Sequence, residues 1–397
     1  MTEGLRSFRS LPARDRAGGR PGTHLLKERF RTVAGILFVV LACGVTAYAD
    51  RTASAAADGL DRHPLYSKYE FRKNSRTIYF GSQPLAAPSG LIFEVMKHDA
   101  ILRQDLKKRG YEIVFYPFFK GPDINYFFKR GEIDLATGGD MPCLVLAATS
   151  EVTIAGIIKL GDASIVTTNQ YRQLSDLRGK RIGFPEGTTA QYGLLIALEA
   201  AGMKESDVQM VTMEVQDLPQ ALAARRIDAF SAWEPIPSLA LAKDKNLVTI
   251  NSFLNTSFIY FRSRLVREQP EVAEILMASY LRGLRWMKKS DRNLTTAARW
   301  NIKAAEQLQG RPFTPSPDII KAITAHDILR HAAAPFIPEG EFRENGFMRR
   351  AFEFLLKKGK LPPSASWQQV LKSLDNSLMK KVLADPVKYH LDTFRYE

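Results

Sequence analysis

Cysteine is almost missing from this chain: Cys43 and Cys143 are the only two in 397 residues. If the chain is cut between them, no internal disulfide can form, and the fold must rest on packing. Cys143 sits among apolar residues and reads as a small core filler. Metal-ligand spacing is missing too. The six histidines are scattered, with no H-x-x-x-H and no C-x-x-C, which removes the common zinc arrangements. There is no G-x-S-x-G turn for an activated serine and no phosphate-cradling G-x-x-x-x-G-K-[ST] loop. Any ATP hydrolysis therefore belongs to a partner. The sequence assigns no catalytic residue, no metal and no cofactor, and the chain reads as a non-enzyme.

Long apolar runs are lacking except for one. Residues 32–49 carry no charge, with Gly35-Ile36-Leu37-Phe38-Val39-Val40-Leu41 at their centre. Lys27, Arg29 and Arg31 precede the run, and Ala47-Tyr48-Ala49 closes it. This pattern reads as a signal peptide over 1–49, cleaved after Ala49, which places the mature chain in the periplasm or outside the cell. Two alternatives stay open: a short membrane anchor, or lipid attachment at Cys43 within Val40-Leu41-Ala42-Cys43. Eight of the Lys/Arg and three of the Asp/Glu fall in 1–49, so +9 of the formal +14 belongs to the rest. A moderately basic exported protein weakly favours small anions. Export, and the lack of a basic–aromatic motif, set nucleic acid aside. The chain reads as a monomer.

Residues 50–74 are polar and rich in Ala and Asp, a flexible start. Beyond them short apolar strands alternate with helices. Strands are expected at 77–80, 111–116, 133–136 and 152–160, with helices at 89–108, about 124–128 and 141–149. The rhythm restarts at Arg181, with strands at 181–184, 208–213, 227–232 and 247–250 and helices at 189–201, 216–225 and 235–244. The class is α/β, with mixed, largely parallel, doubly wound sheets in two lobes and a cleft between them. Ligands in such sheets bind beyond the carboxyl ends of the strands. From 264 the pattern turns helical, at 264–289, 291–308, 316–332, 346–358 and 366–383. The expected domains are lobe I over 75–165, lobe II over 166–252, and a return to lobe I with C-terminal helices over 253–397.

Three segments carry a family resemblance. Gly121-Pro122, Gly131-Glu132-Ile133-Asp134-Leu135-Ala136 and Gly139-Asp140-Met141-Pro142 form the first. Asp176-Leu177-Arg178-Gly179-Lys180-Arg181-Ile182-Gly183 with Gly187-Thr188-Thr189-Ala190 forms the second, and Ile227-Asp228-Ala229 with Trp233-Glu234-Pro235 the third. In order and spacing they resemble periplasmic solute-binding proteins of ABC importers, of the nitrate, sulfonate, taurine and thiamine-precursor type. The resemblance implies a type II periplasmic-binding-protein fold whose lobes are joined by two crossing strands, near 161–168 and 251–260. It implies capture of a small anionic or polar organic solute, and docking on an ABC permease with a separate ATPase subunit. An enzyme on the same two-lobe fold and a ligand-sensing envelope receptor remain the alternatives.

The candidate ligand-binding residues follow from strand ends. Thr188 and Thr189, after Gly187, start a helix; they either hold an oxyanion with their N–H groups and hydroxyls or simply cap it. Ser82 and Gln83 end the first strand, and Gly139, Asp140 and Met141 follow the third. Trp233 and Glu234 end a second-lobe strand. Glu234 would repel an anion unless paired, which favours a ligand of mixed charge, or else it caps the next helix.

Overall fold

The computed structural model describes residues 59–72, 76–330, 334–343 and 345–397. The expected leader over 1–49, its cleavage and lipidation points at Ala49 and Cys43, and much of the segment 50–74 lie outside the described residues. Residues 59–68 include a 3₁₀ turn, Tyr66–Lys68, with the rings of His63 and Tyr66 stacked 4.2 Å apart. Tyr69–Glu397 forms a second compact unit, which contains every strand among the described residues.

The first half of that unit alternates as the apolar spacing requires: β1 (Thr77–Ser82), α1 (Ser89–Lys97), α2 (Ala100–Lys108), β2 (Glu112–Pro117), α3 (Gly121–Lys129), β3 (Leu135–Gly139) and α4 (Asp140–Ala147). β4 (Val152–Thr168) leads into the second half. There β5 (Arg181–Phe184), α5 (Thr189–Ala200), β6 (Gln209–Thr212), α6 (Leu218–Ala223), β7 (Ala229–Trp233) and α7 (Ile236–Lys243) follow, and β8 (Leu247–Arg262) leads back. All eight strands form one sheet in the order β2-β1-β3-β8-β4-β7-β5-β6. Pairing is parallel within each half, β2-β1-β3 and β7-β5-β6, and antiparallel wherever β4 or β8 takes part. Parallel strands in each half send their carboxyl ends, and the helix starts behind them, toward the same gap.

β4 and β8 are the long members, 17 and 16 residues. They include both crossings expected at 161–168 and 251–260 and run well past them. Gly161 and Asp162, where the expected strand 152–160 meets the expected crossing, continue β4 and pair with Asn255 and Leu254 of β8. Cross-strand pairing carries the strand through its glycines.

The helix expected over 89–108 is two helices. Asp99 breaks it, accepting from Ile101 N–H at 3.0 Å as the N-cap of α2. Its other oxygen receives Arg282 Nη2 at 2.6 Å and Ser279 Oγ at 2.7 Å, all three groups buried. A cap that also holds a buried guanidinium is a strong reason for the break.

The C-terminal part is helical: α8 (Ser263–Glu268), α9 (Pro270–Lys289), α10 (Asp291–Gln309), α11 (Pro317–Thr324), α12 (Phe347–Lys357), α13 (Trp367–Ser373) and α14 (Ser377–Ala384). α11 passes into a π-helical turn, Ala325–Leu329. α9 packs on α1 and α2, and α12 and α13 reach α4, all in the first half. The α12 ring of Phe354 also meets Tyr192 of α5 at 5.5 Å. Cys143 is fully buried on α4, and burial pushes its thiol well up. Among the described residues no helix is long and apolar enough to cross a membrane.

Candidate functional site

Four strand-to-helix turns converge on the gap between the halves. β1 runs out into Gln83, and Gly121 opens α3. Gly139 is the N-cap of α4, and Thr188 the N-cap of α5, with extended backbone (φ −113°, ψ 169°). Thr188 gives its hydroxyl to Pro185 O at 2.6 Å and does not bond its own helix start, and Gly139 has no side chain to do so. The starts of three helices therefore border one small volume, where the partial positive charge of helix N-termini adds.

That volume is a cavity of about 20 Å³, close to the room one water needs. Gln83, Gly121, Gly139 and Pro142 line it from the first half, and Thr188, Thr189 and Trp233 from the second. Lys159 of β4 with Asn255 and Ser257 of β8 forms its floor. Lys159 pairs with Ser257 in the ladder and Gly161 with Asn255. Among the described residues lining the cavity, Lys159 is the one charged side chain.

The halves touch directly around this space. Thr189 Oγ1 donates to Asp140 Oδ1 at 2.7 Å. Trp233 Nε1 donates to Leu85 O at 3.3 Å, and Ala87 N to Glu234 O at 3.0 Å. Lys120 pairs with Glu214 farther out. A Cβ on Gly139 would lie 2.5 Å from Thr189 Oγ1, so only glycine allows this approach. The arrangement is a closed one.

Two donors in the cavity are underused. Gln83 is 6% exposed, and its Nε2 has no hydrogen-bond partner among the described residues. Lys159 is 2% exposed, and among the described residues its ammonium has only long contacts, 3.5 Å to Asp162 O and 3.6 Å to Asp327 Oδ2. Burial lowers the Lys159 pKa, against the attraction of Asp327 and Glu234. An unmet buried donor is costly, so Gln83 Nε2, beside the loosely held Lys159 ammonium, leaves an acceptor's place open in the cavity.

Asp140 is different, because its oxygens are taken. They accept from Thr189 Oγ1, Thr256 N–H at 3.1 Å and Met141 N–H at 2.7 Å. Burial pushes its carboxyl up to about 6, and those three bonds hold it from going higher.

Of the residues expected from the sequence, Gln83, Gly139, Thr188, Thr189 and Trp233 line the cavity, and Asp140 bridges it. Ser82 does not face it: its Oγ lies 2.5 Å from Thr137 Oγ1, between β1 and β3. Met141 is buried behind Asp140 and outside the lining. Gly187 takes φ +73° and gives its N–H to Gln191 Oε1, shaping the turn. Glu234 turns its carboxylate to Ser238 N–H at 3.3 Å, and burial raises its pKa. That is helix-start work, the second of the two roles its position allows. Lys159, Asn255 and Ser257 join the site without having been expected there. A lysine isolated in the apolar run 152–161 was the available signal for the first. No group of three metal-ligating side chains occurs among the described residues.

Residues 121–293 match the family model described as NMT1/THI5 like. A Brucella abortus (strain 2308) protein named as a binding protein is 29% identical over 182 residues, 43% of this chain and 56% of that protein. The chain thus spans a little over half the length of that curated relative. The taurine-binding periplasmic protein of Escherichia coli (strain K12) is 25% identical over 278 residues, 66% of this chain and 82% of it. Among solved structures, the alkanesulfonate-binding protein SsuA of Xanthomonas axonopodis pv. citri, bound to MOPS, is similar with a TM-score of 0.57. Its identity is 20%, over 75% of this chain and 99% of that one, a likeness of fold. The chain has the fold of the periplasmic binding proteins, and its residues 121–293 carry the NMT1/THI5-like sequence.

Proposed function

We propose that this chain is the solute-capturing component of an ABC importer, acting outside the cytoplasmic membrane and handing its ligand to a permease driven by a separate ATPase. The two sheet halves act as lobes, about 75–165 and 166–252, with 253–397 returning to the first. The ligand is a small anionic or polar organic solute of the sulfonate class. Taurine and alkanesulfonates are the names its relatives and fold neighbours carry.

One observation supports the reading above others: three helix starts and two underused donors, Gln83 Nε2 and Lys159 Nζ, share one cavity between the halves. An oxyanion there meets donors from both sides, and ligand-bridged halves favour the closed form in proportion to that differential affinity. At about 20 Å³ the closed cavity has no room for a sulfonate group, so entry requires the halves to part. The chemistry is that of holding, not of turnover. Asp140 has its acceptors filled and the Cys143 thiol is buried with a raised pKa, so neither is poised to act as base or nucleophile.

Calorimetry of the purified protein tests this with methanesulfonate, taurine and nitrate. Saturable one-to-one binding of a sulfonate is expected. No binding of any sulfonate, or conversion of the ligand on incubation, contradicts it.

A further inference from the structure

Among the described lining residues Lys159 is the one cation, and its carboxylate partner comes from neither sheet half. Asp327 reaches it from the π-helical turn Ala325–Leu329, more than 160 residues along the chain. The approach is built in. A Cβ on Gly161, two residues from Lys159 on β4, would collide with the Asp327 carboxyl group, so glycine there opens the way. Asp327 is 3% exposed. Its Oδ1 is 2.9 Å from His326 Nδ1, while its Oδ2, the oxygen nearest Lys159, has no hydrogen-bond partner among the described residues. Single-turn π-helices are rare and recur at functional sites.

We propose that Asp327 is a specificity-determining residue that, acting through Lys159, restricts the cavity to singly charged anions. The proposal rests on the functional reading above. Charge count decides selectivity in a place shut off from water. With Asp327 opposite, Lys159 contributes a neutral pair and not a free positive charge. A monoanion then has the helix-start N–H groups and Gln83 Nε2 to meet its one charge. A dianion brings a second charge with no cation left for it, and Asp140 and Glu234 stand on the same side of the balance, the latter felt at Lys159. Burying an uncompensated charge is far costlier than burying a paired one. Asp327 is not itself among the lining residues but contacts one of them, Lys159; it is a positioning residue whose effect is carried by the lysine.

Methanesulfonate and sulfate make the test: nearly the same tetrahedral oxygen set, charges of one and two. Their dissociation constants are measured by calorimetry at matched ionic strength, for the wild-type chain, Asp327→Asn, Asp327→Glu and Gly161→Ala. Wild type is expected to prefer methanesulfonate by at least about 10-fold, the factor that 1.4 kcal/mol gives. Asp327→Asn should shrink that preference by about 10-fold or more, and Gly161→Ala, which displaces the carboxylate, should shrink it in the same direction. Asp327→Glu should retain most of it. A purely structural role would weaken both ligands alike and leave the ratio where it was, and that result overturns the proposal. If the variants fail to fold, the wild-type ratio alone decides: sulfate binding as tight as methanesulfonate overturns it. Failure of wild type to bind methanesulfonate overturns the functional reading and this proposal with it. Binding with an unchanged ratio overturns this proposal alone.

Discussion

Thr189 Oγ1 donates to Asp140 Oδ1 at 2.7 Å, so the first residue of α5 is tied to the first residue of α4 across the gap between the halves. Each lies at a helix start, and each is almost fully buried. The bond belongs to the closed form, because it needs those two turns in contact. Replacing Thr189 by Val keeps the shape and removes the hydroxyl. Ligand affinity should fall by about 10-fold, consistent with about 1.5 kcal/mol for a bond to a charged acceptor. Titration calorimetry reads this; an unchanged dissociation constant would detach the bond from closure.

Gly139→Ala acts on the same approach by sterics. The added methyl would sit 2.5 Å from Thr189 Oγ1, so the halves cannot meet as they do. Affinity should drop at least about 10-fold, the 1.4 kcal/mol scale of a modest clash. Small-angle scattering should show that ligand no longer compacts the variant. Ligand-induced compaction equal to wild type would contradict closure through this contact.

The Asp140 carboxyl has a pH signature. Its folded pKa, pushed up to about 6 by burial first, exceeds its ordinary value of 3.8. Between these values the folded chain holds the proton that the unfolded chain has released, so the carboxyl's contribution to stability falls as pH rises through the window. The stability of wild type relative to Asp140→Asn should therefore improve as pH is lowered from about 7 to about 4. The full span is up to about 3 kcal/mol, at about 1.36 kcal/mol for each tenfold change in proton affinity. Urea denaturation of the pair at several pH values measures it, and a difference that is flat or grows with pH would refute the assignment.

Lys159 and Asp327 should show the asymmetry of a buried ion pair. Lys159→Met alone leaves Asp327 without its cation at 3.6 Å, and about 3–5 kcal/mol of stability should be lost. The double variant Lys159→Met/Asp327→Leu should recover most of that stability, since apolar replacements of both partners cost little. It should not recover ligand binding. Thermal denaturation together with calorimetry separates the two readouts. A double variant that binds as wild type would remove Lys159 from the site.

Much of this was legible in the sequence because it is locally encoded. The strand Arg181–Phe184, the Gly187 turn and the helix from Thr189 lie where the apolar runs and turn residues put them. Gln83, Gly139 and Thr189 sit at strand-to-helix turns, and parallel topology brings such turns together without further information. What escaped the sequence depends on distant partners. Asp99 splits a helix to hold Arg282. Lys159 is an ordinary strand residue until Asp327 arrives from the C-terminal helices. Glu234, for which the sequence left ligand contact and helix capping both open, turns its carboxylate to Ser238 N–H.

A crystal structure of the protein grown with methanesulfonate would put the capture site itself to the test. The sulfonate should lie between the starts of α3, α4 and α5, with oxygens about 3 Å from Gln83 Nε2 and from the Thr188 and Thr189 amides, the usual hydrogen-bond distance. A sulfonate bound elsewhere, or a cavity holding only water at saturating ligand, would contradict capture between the halves.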